Sequence, residues 1–256
     1  MREKTIGVLT VMLLFFACSQ DPATDADSAS DTGNGGSDDS VETGSTDSVL
    51  PEDTATDSDT VPDTAGDTTP VVACAVRGDN RTTLVFENHC EDSLTFEGSN
   101  IDSGVLAPGG AECRHLGSAT EEISSVRFWG YIGENPGGEH HTLAEMTLNT
   151  DFYDFDWYNI SHVDAHNLPM AIIPLEISDC RSLVCEENLL SECPDEGKFY
   201  LNGTLVSCVS PDRDNPDSAV AVYFEAHCKD AYSWSGDDAD SMAACAGEDY
   251  AIVFCP

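Results

Sequence analysis

Lysine and arginine are scarce: 10 of 256 residues, against 48 aspartates and glutamates, for a formal net charge of −38. Contacts to a phosphate backbone need cations, so this balance excludes nucleic acid as a partner. It suits neutral glycans, cationic ligands or metal ions, and it bears on partners and solubility rather than on fold. There is no GxSxG stretch, so a serine nucleophile on a sharp strand-to-helix turn has no support. Residues 19–72 contain no basic side chain, no aromatic and few large aliphatics, while holding 14 acidic residues. Such a segment cannot bury enough apolar surface to offset its ordering entropy. It reads as a disordered tether that spans roughly 40 Å as a flexible coil, and further as its aspartates repel one another. Its Asp-Thr and Asp-Ser units also lack glycine turns at the spacing of a calcium loop.

The amino terminus has a different character. Arg2 and Lys4 precede the apolar run TIGVLTVMLLFFA, residues 5–17, which is too short to span a bilayer comfortably and fits the hydrophobic region of a secretory signal. It ends in LFFAC, which resembles a bacterial lipobox with Phe15 where that motif prefers leucine. Cys18 is then lipidated and begins the mature chain; the alternative is an ordinary signal peptide cleaved nearby. The eleven cysteines are an odd number, and setting Cys18 aside leaves ten between Cys74 and Cys255. An even set of that kind suits five disulfides in an oxidising compartment. Three segments follow: a signal over 1–17, a lipidated cysteine and linker over 18–72, and one well-cored domain over 73–256. The expected location is the cell envelope, anchored by lipid and facing outside the cytoplasm.

Within the domain, short runs rich in Val, Ile, Phe, Tyr and Thr recur: TTLVFEN, DSLTFEG, SSVRFWGYI, TLAEMTL, FDWYNISHV, MAIIPLEI, AVAVYFEA and YAIVFCP. Gly, Pro, Asn and Asp punctuate them, the pattern of an antiparallel β-sandwich. One stretch stands apart. SLVCEENLLSEC, residues 182–193, has Ser182 at an N-cap position and no Gly or Pro, and it predicts a short helix stapled by its cysteines.

The blocks TLAEMTL, DWYNISHVDAHNLPM, DCRSLVCEENLLSECP, HCKDAYSW and YAIVFCP stand in the order seen in thaumatin-like proteins, and TTLVFENHC is similar to that family's first strand. The chain is identified as resembling this family over nearly all of residues 82–256. The resemblance implies an all-β fold, a flattened antiparallel β-sandwich with a small disulfide-rich lobe containing a short helix, and an acidic cleft between them. It also implies the bridges Cys90–Cys255, Cys180–Cys245, Cys185–Cys228 and Cys193–Cys208. Cys74 and Cys113 have no family counterpart and are left to each other. Plant members usually have sixteen cysteines; this is a trimmed version.

The family's cleft is lined by one arginine and four carboxylates and is linked to β-1,3-glucan binding and, in some members, hydrolysis. By resemblance its glutamate is Glu145, and two of its aspartates are Asp164 and Asp237, with Asp238 able to take the latter's place. Two positions depart from the pattern: Asn159 stands at an aspartate position, and Tyr131 at the arginine position, with Arg127 earlier on the same strand. Glycoside hydrolysis needs one protonated and one ionised carboxyl, about 5–5.5 Å apart for retention and roughly 6.5–9.5 Å for inversion. If the chain is an enzyme, Glu145 is the expected acid and Asp164 the expected base. Trp129, Tyr131 and Trp157 are candidates for stacking on sugar rings. Asn159 and Asp164 are five residues apart and cannot share a face of one regular strand, so a bend near residues 161–165 is required.

His162, Asp164 and His166 fall at i, i+2 and i+4, one side of an extended segment, and His140, His141 and Glu139 could add ligands; two histidines and a carboxylate suit zinc or iron. The family lacks these histidines, so no metal and no cofactor is expected. The favoured reading is a surface-anchored domain that binds polysaccharide, most specifically β-1,3-glucan, and meets the membrane only through its lipid. The alternatives are an endo-β-1,3-glucanase and a module that binds a protein or cation.

Overall fold

Apolar and polar side chains that alternate along a strand make it two-faced. Such strands build the computed structural model, which describes residues 78–150, 155–175, 179–238 and 241–256. The segments expected to be a signal and a linker, residues 1–72, and Cys74 lie outside the described residues. One sheet has five strands in the order β10 (Leu183–Cys185), β9 (Met170–Pro174), β15 (Asp249–Phe254), β1 (Arg81–Asn88) and β4 (Ala111–Ser118). A second runs β13 (Ala231–Tyr232), β7 (Phe155–Ser161), β6 (Leu143–Thr150), β5 (Ile123–Ile132), β2 (Leu94–Gly98) and β3 (Gly104–Leu106), with β14 (Met242–Cys245) paired to β7. The third is small: β11 (Lys198–Leu201), β12 (Thr204–Val209) and β8 (Ala165–His166). The pairings are antiparallel except β1 with β15 and β13 with β7.

The two larger sheets bury one face each in a common core. Leu84, Phe86, Ile252 and Phe254 come from the first, and Leu94, Phe96, Phe128, Tyr158 and Ile160 from the second. Phe86 stacks on Phe96 with centroids 4.4 Å apart and meets Phe128 edge-on at 5.8 Å. Gly130 is required here, because a Cβ at that position would lie 2.7 Å from the Phe254 ring. Residues of opposite parity on β2, β5, β6 and β7 face away from this core, half-buried or, like Arg127, exposed. That outer face carries the candidate site.

The segment 182–193 does not form the expected helix. Leu183–Cys185 is an edge strand on β9, and turns follow it. The reason lies in where its side chains go: Leu183 and Cys185 enter the main core, whereas Leu189 and Cys193 enter a separate cluster with Cys208, Val220 and Phe224. No single helix face can serve both. The α-helix among the described residues is α1, Ala219–His227, in the AVAVYFEA run expected to be a strand. Its β-favouring composition is overridden by burial of Val220, Ala221 and Phe224 along one side and by the Ser218 cap, whose hydroxyl accepts from Ala221 N at 3.1 Å. Ser218→Ala is expected to cost about 1 kcal/mol in urea unfolding, while Ser218→Asp leaves stability within a few tenths of that of the natural chain.

Disulfides join Cys90 to Cys255, Cys180 to Cys245, Cys185 to Cys228 and Cys193 to Cys208. Cys113 is also disulfide-bonded. The first bridge ties β1 to the end of the chain beside their parallel pairing, and the last two hold α1 and its surroundings as a lobe. After Ser161 the chain leaves the second sheet, turns through His162–Asp164 and joins β12 as β8. His162 N donates to Tyr232 O and Ser210 N to Asp164 O, each at 2.8 Å, which fixes the bend.

Candidate functional site

The site begins with cross-strand register. Arg127 on β5, Glu145 on β6 and Asn159 on β7 are direct partners, so all three stand on the outer face. Arg127 Nε lies 3.1 Å from Glu145 Oε1, and Asn159 Nδ2 donates to Glu145 Oε2 at 3.1 Å. Asn159, uncharged where the resemblance implies an aspartate, thus serves as a donor to the neighbouring carboxylate. Asp164, at the bend, pairs with Arg213 Nη1 at 2.9 Å, its side chain only 13% exposed. Burial raises the Asp164 carboxyl above its ordinary range. Arg213 opposes that shift and, more weakly, so does Arg127, while the negative charges of Glu139 and Glu145 reinforce it. Glu145 is therefore close enough to Asp164 to act on its titration.

Arg213 is the residue that sequence reasoning missed. It sits in SPDRDNPD, which reads as turn punctuation, and only the folded chain brings that loop over Asp164. Tyr131 does not replace the family arginine electrostatically, since its hydroxyl donates to Glu97 Oε1 at 2.9 Å. Arg127 and Arg213 supply the positive charge instead, from two other places.

Asp237 and Asp238 close another side. Asp237 Oδ2 accepts from Ser233 N at 3.0 Å and from Ser233 Oγ at 2.9 Å, and Asp238 Oδ1 accepts from Tyr232 OH at 2.9 Å. Burial holds the Tyr232 hydroxyl protonated, with Asp238, Asp237 and Glu145 all adding to the shift. Tyr232, on the strand beside β7, thus lies between the Glu145 group and the aspartates of the 233–238 loop.

At the β2 end of the same face, Trp129 and Tyr131 flank His141, with ring centroids 5.9 and 6.0 Å away. Burial lowers the His141 pKa, so the ring is neutral at neutral pH. Its Nδ1 faces Gly138 O at 3.2 Å, which can only accept, so the proton is on Nδ1 and Nε2 is an acceptor. Trp157 projects from β7 on the same side as Asn159.

The histidines do not assemble with Asp164 as a metal site. The bend turns His162 and His166 into the interior, fully buried with centroids 4.8 Å apart, while Asp164 faces Arg213. His140 stacks on Phe199 at 4.0 Å, away from both. His162 does lie with Cys185 and Cys228, ligand atoms within 4.8 Å of one another, but those sulfurs are joined to each other and are not free to bind an ion. The buried pair has a defined tautomer instead. Leu189 N donates to His166 Nε2 at 3.2 Å, so the neutral ring carries its proton on Nδ1 and donates to His162 Nε2 at 3.2 Å.

Fold and site together define a disulfide-bridged β-sandwich whose outer sheet face carries acidic groups cross-linked by ion pairs. Residues 133–256 match the model of the Thaumatin family. Pathogenesis-related thaumatin-like protein 3.8 of Cryptomeria japonica is 32% identical over 204 residues, 67% of this chain and 87% of that protein. Thaumatin-like protein 3.4 of the same species is 29% identical over 200 residues, covering 66% of this chain and 80% of the relative. Its protein 3.5 aligns over 54% of its own length. Among solved structures, a GH family 64 laminaripentaose-producing β-1,3-glucanase from Paenibacillus barengoltzii, complexed with laminarihexaose, is similar at 12% identity and a TM-score of 0.44. That alignment covers 69% of this chain and 75% of the glucanase. The chain belongs to the thaumatin family.

Proposed function

We propose that this protein is a carbohydrate-binding module of the cell envelope: a signal over 1–17, lipidated Cys18, a tether to residue 72, and a domain that takes β-1,3-glucan in its acidic cleft without cleaving it. One observation carries this reading. The two carboxylates best placed for chemistry are each paired with a guanidinium, Glu145 with Arg127 and Asp164 with Arg213. Hydrolysis needs carboxyl oxygens free to reach the leaving group and the attacking water, and in each pair a guanidinium already holds one oxygen at 3.1 Å or less. Glu145 is further engaged by Asn159. Ion pairs and amides of this kind offer fixed donors and acceptors to neutral hydroxyls, and Trp129, Tyr131 and Trp157 lie on the same face for stacking. A neutral polymer also escapes the repulsion that the domain's excess of carboxylates exerts on an anion.

The second reading is an endo-β-1,3-glucanase, and the raised Asp164 carboxyl favours it. In that case Asp164, the more buried group, is the acid and Glu145 the base, the reverse of the roles first assigned. A laminarin assay separates the two. Binding without new reducing ends is expected, and Asp164→Asn and Glu145→Gln should each weaken it at least tenfold. Turnover abolished by either substitution establishes the enzyme, and absence of both binding and turnover leaves a module for a protein or cation.

A further inference from the structure

A concavity of about 520 Å³ opens between α1 and the 233–238 loop. Val222, Glu225, Ala226 and Lys229 line one wall, and Trp234 and Asp237 the other. The spacing i, i+3, i+4 puts Val222, Glu225 and Ala226 on one stripe of the helix, opposite the face that buries Val220 and Phe224, and Lys229 follows just after the helix ends. An outward stripe is ordinarily polar, yet Val222 is 54% exposed here and Ala226 lies beside it. The Trp234 ring is held from behind: a Cβ on Gly236 would lie 2.4 Å from it, so the loop backbone packs against the indole.

We propose that this concavity is an extension subsite for a glycosyl unit of the chain bound in the cleft, with Trp234 as its stacking platform; it rests on the glucan reading above. The volume is that of a small-molecule site. An indole with Val222 and Ala226 offers an apolar surface to the C–H face of a pyranose, and Asp237 and Lys229 offer an acceptor and a donor to its hydroxyls. Continuity with the cleft comes from two shared loops. Ser233 and Asp237 line the concavity directly after Tyr232, whose hydroxyl is in the field of Glu145. The loop that places Arg213 on Asp164 continues to Pro216 on the concavity's rim, and Ser235 clamps the two loops through Arg213 O at 2.9 Å and Asp214 Oδ1 at 2.6 Å. A chain lying over Glu145 and Asp164 that crosses Asp237 therefore arrives at Trp234.

The test is titration calorimetry with linear β-1,3-glucose oligomers of three and six units. The natural chain should bind the hexamer at least tenfold more tightly than the trimer. Trp234→Ala should remove that difference, weakening the hexamer about tenfold with the trimer unchanged, and Lys229→Ala, on an exposed position, should remove part of it. Near-ultraviolet circular dichroism checks that each variant is folded. If both variants keep the full hexamer preference, or lose affinity for both lengths equally, the subsite is refuted while the glucan reading stands. If the natural chain binds neither oligomer, both fail together.

Discussion

Replacing Cys90 and Cys255 together by alanine should lower the unfolding free energy by about 5 kcal/mol, from the loop-entropy relation for a closed loop of this size. The bridge spans a sequence separation of 165 residues and joins the ends of β1 and β15, which pair in parallel from Thr83↔Asp249 to Asn88↔Phe254. Without it, β1 and β15 must find each other unaided before the central pair of the first sheet can form. The Cys193–Cys208 bridge spans only 15 residues, so its removal should cost about 3 kcal/mol by the same relation. Urea denaturation of both variants, with the other bridges oxidised, tests the order as well as the size. An equal loss for the two bridges would mean that local packing, not loop closure, sets their contribution. A loss of this size is a large fraction of the roughly 5–15 kcal/mol that a domain has in total.

Acid should destabilise the domain well before its exposed carboxylates are protonated. Burial depresses both His162, to about 3, and His166 below the ordinary histidine value, so both rings are neutral in the folded chain. In the unfolded chain each takes up a proton near pH 6.5. The unfolded state therefore binds more protons below that pH, and stability falls as pH drops, by about 1.4 kcal/mol per unit for each histidine until its folded pKa is reached. By pH 5.5 the pair together costs about 3 kcal/mol. Asp156, Asp164 and Asp249 act in the opposite sense, because burial raises their carboxyls. The stability they contribute is full below the unfolded aspartate value and is lost as pH rises through their folded ones, so it offsets part of the histidine loss at the acid end. Unfolding free energies from pH 7 to 5, with NMR titration of the histidine ring protons, decide the matter. Rings of His162 and His166 that titrate near 6.5 in the folded domain would contradict the buried neutral pair.

The same interior explains what could be read early and what could not. Most strands of the two large sheets announce themselves, because a side-chain period of two is local: TTLVFEN, TLAEMTL and YAIVFCP each sort their residues onto two faces whatever they pair with. Charge composition is equally local, and the expectation against a phosphate-rich partner rests on it alone. Assignments failed where the deciding contact comes from elsewhere in the chain. The AVAVYFEA run reads as a strand, but Ser218 caps it and Phe224 packs beside Leu189, so it is the helix. Cys185 and Leu189, four apart, look like one helical face, yet two separate cores claim them.

In the site, the sequence by itself singled out Glu145, Asp164 and Asp237 as candidates, because they stand in blocks that resemble the family, without any knowledge of the fold. Only the tertiary structure decided what those groups face. Register between β5, β6 and β7 sets Arg127 and Asn159 beside Glu145, and the turn after Ser161 sends His162 and His166 inward and Asp164 outward. A loop that reads only as a turn delivers Arg213 to Asp164. Ionisation depends on burial and on charges a few ångströms away, and neither distance exists until the strands are paired and the chain has bent.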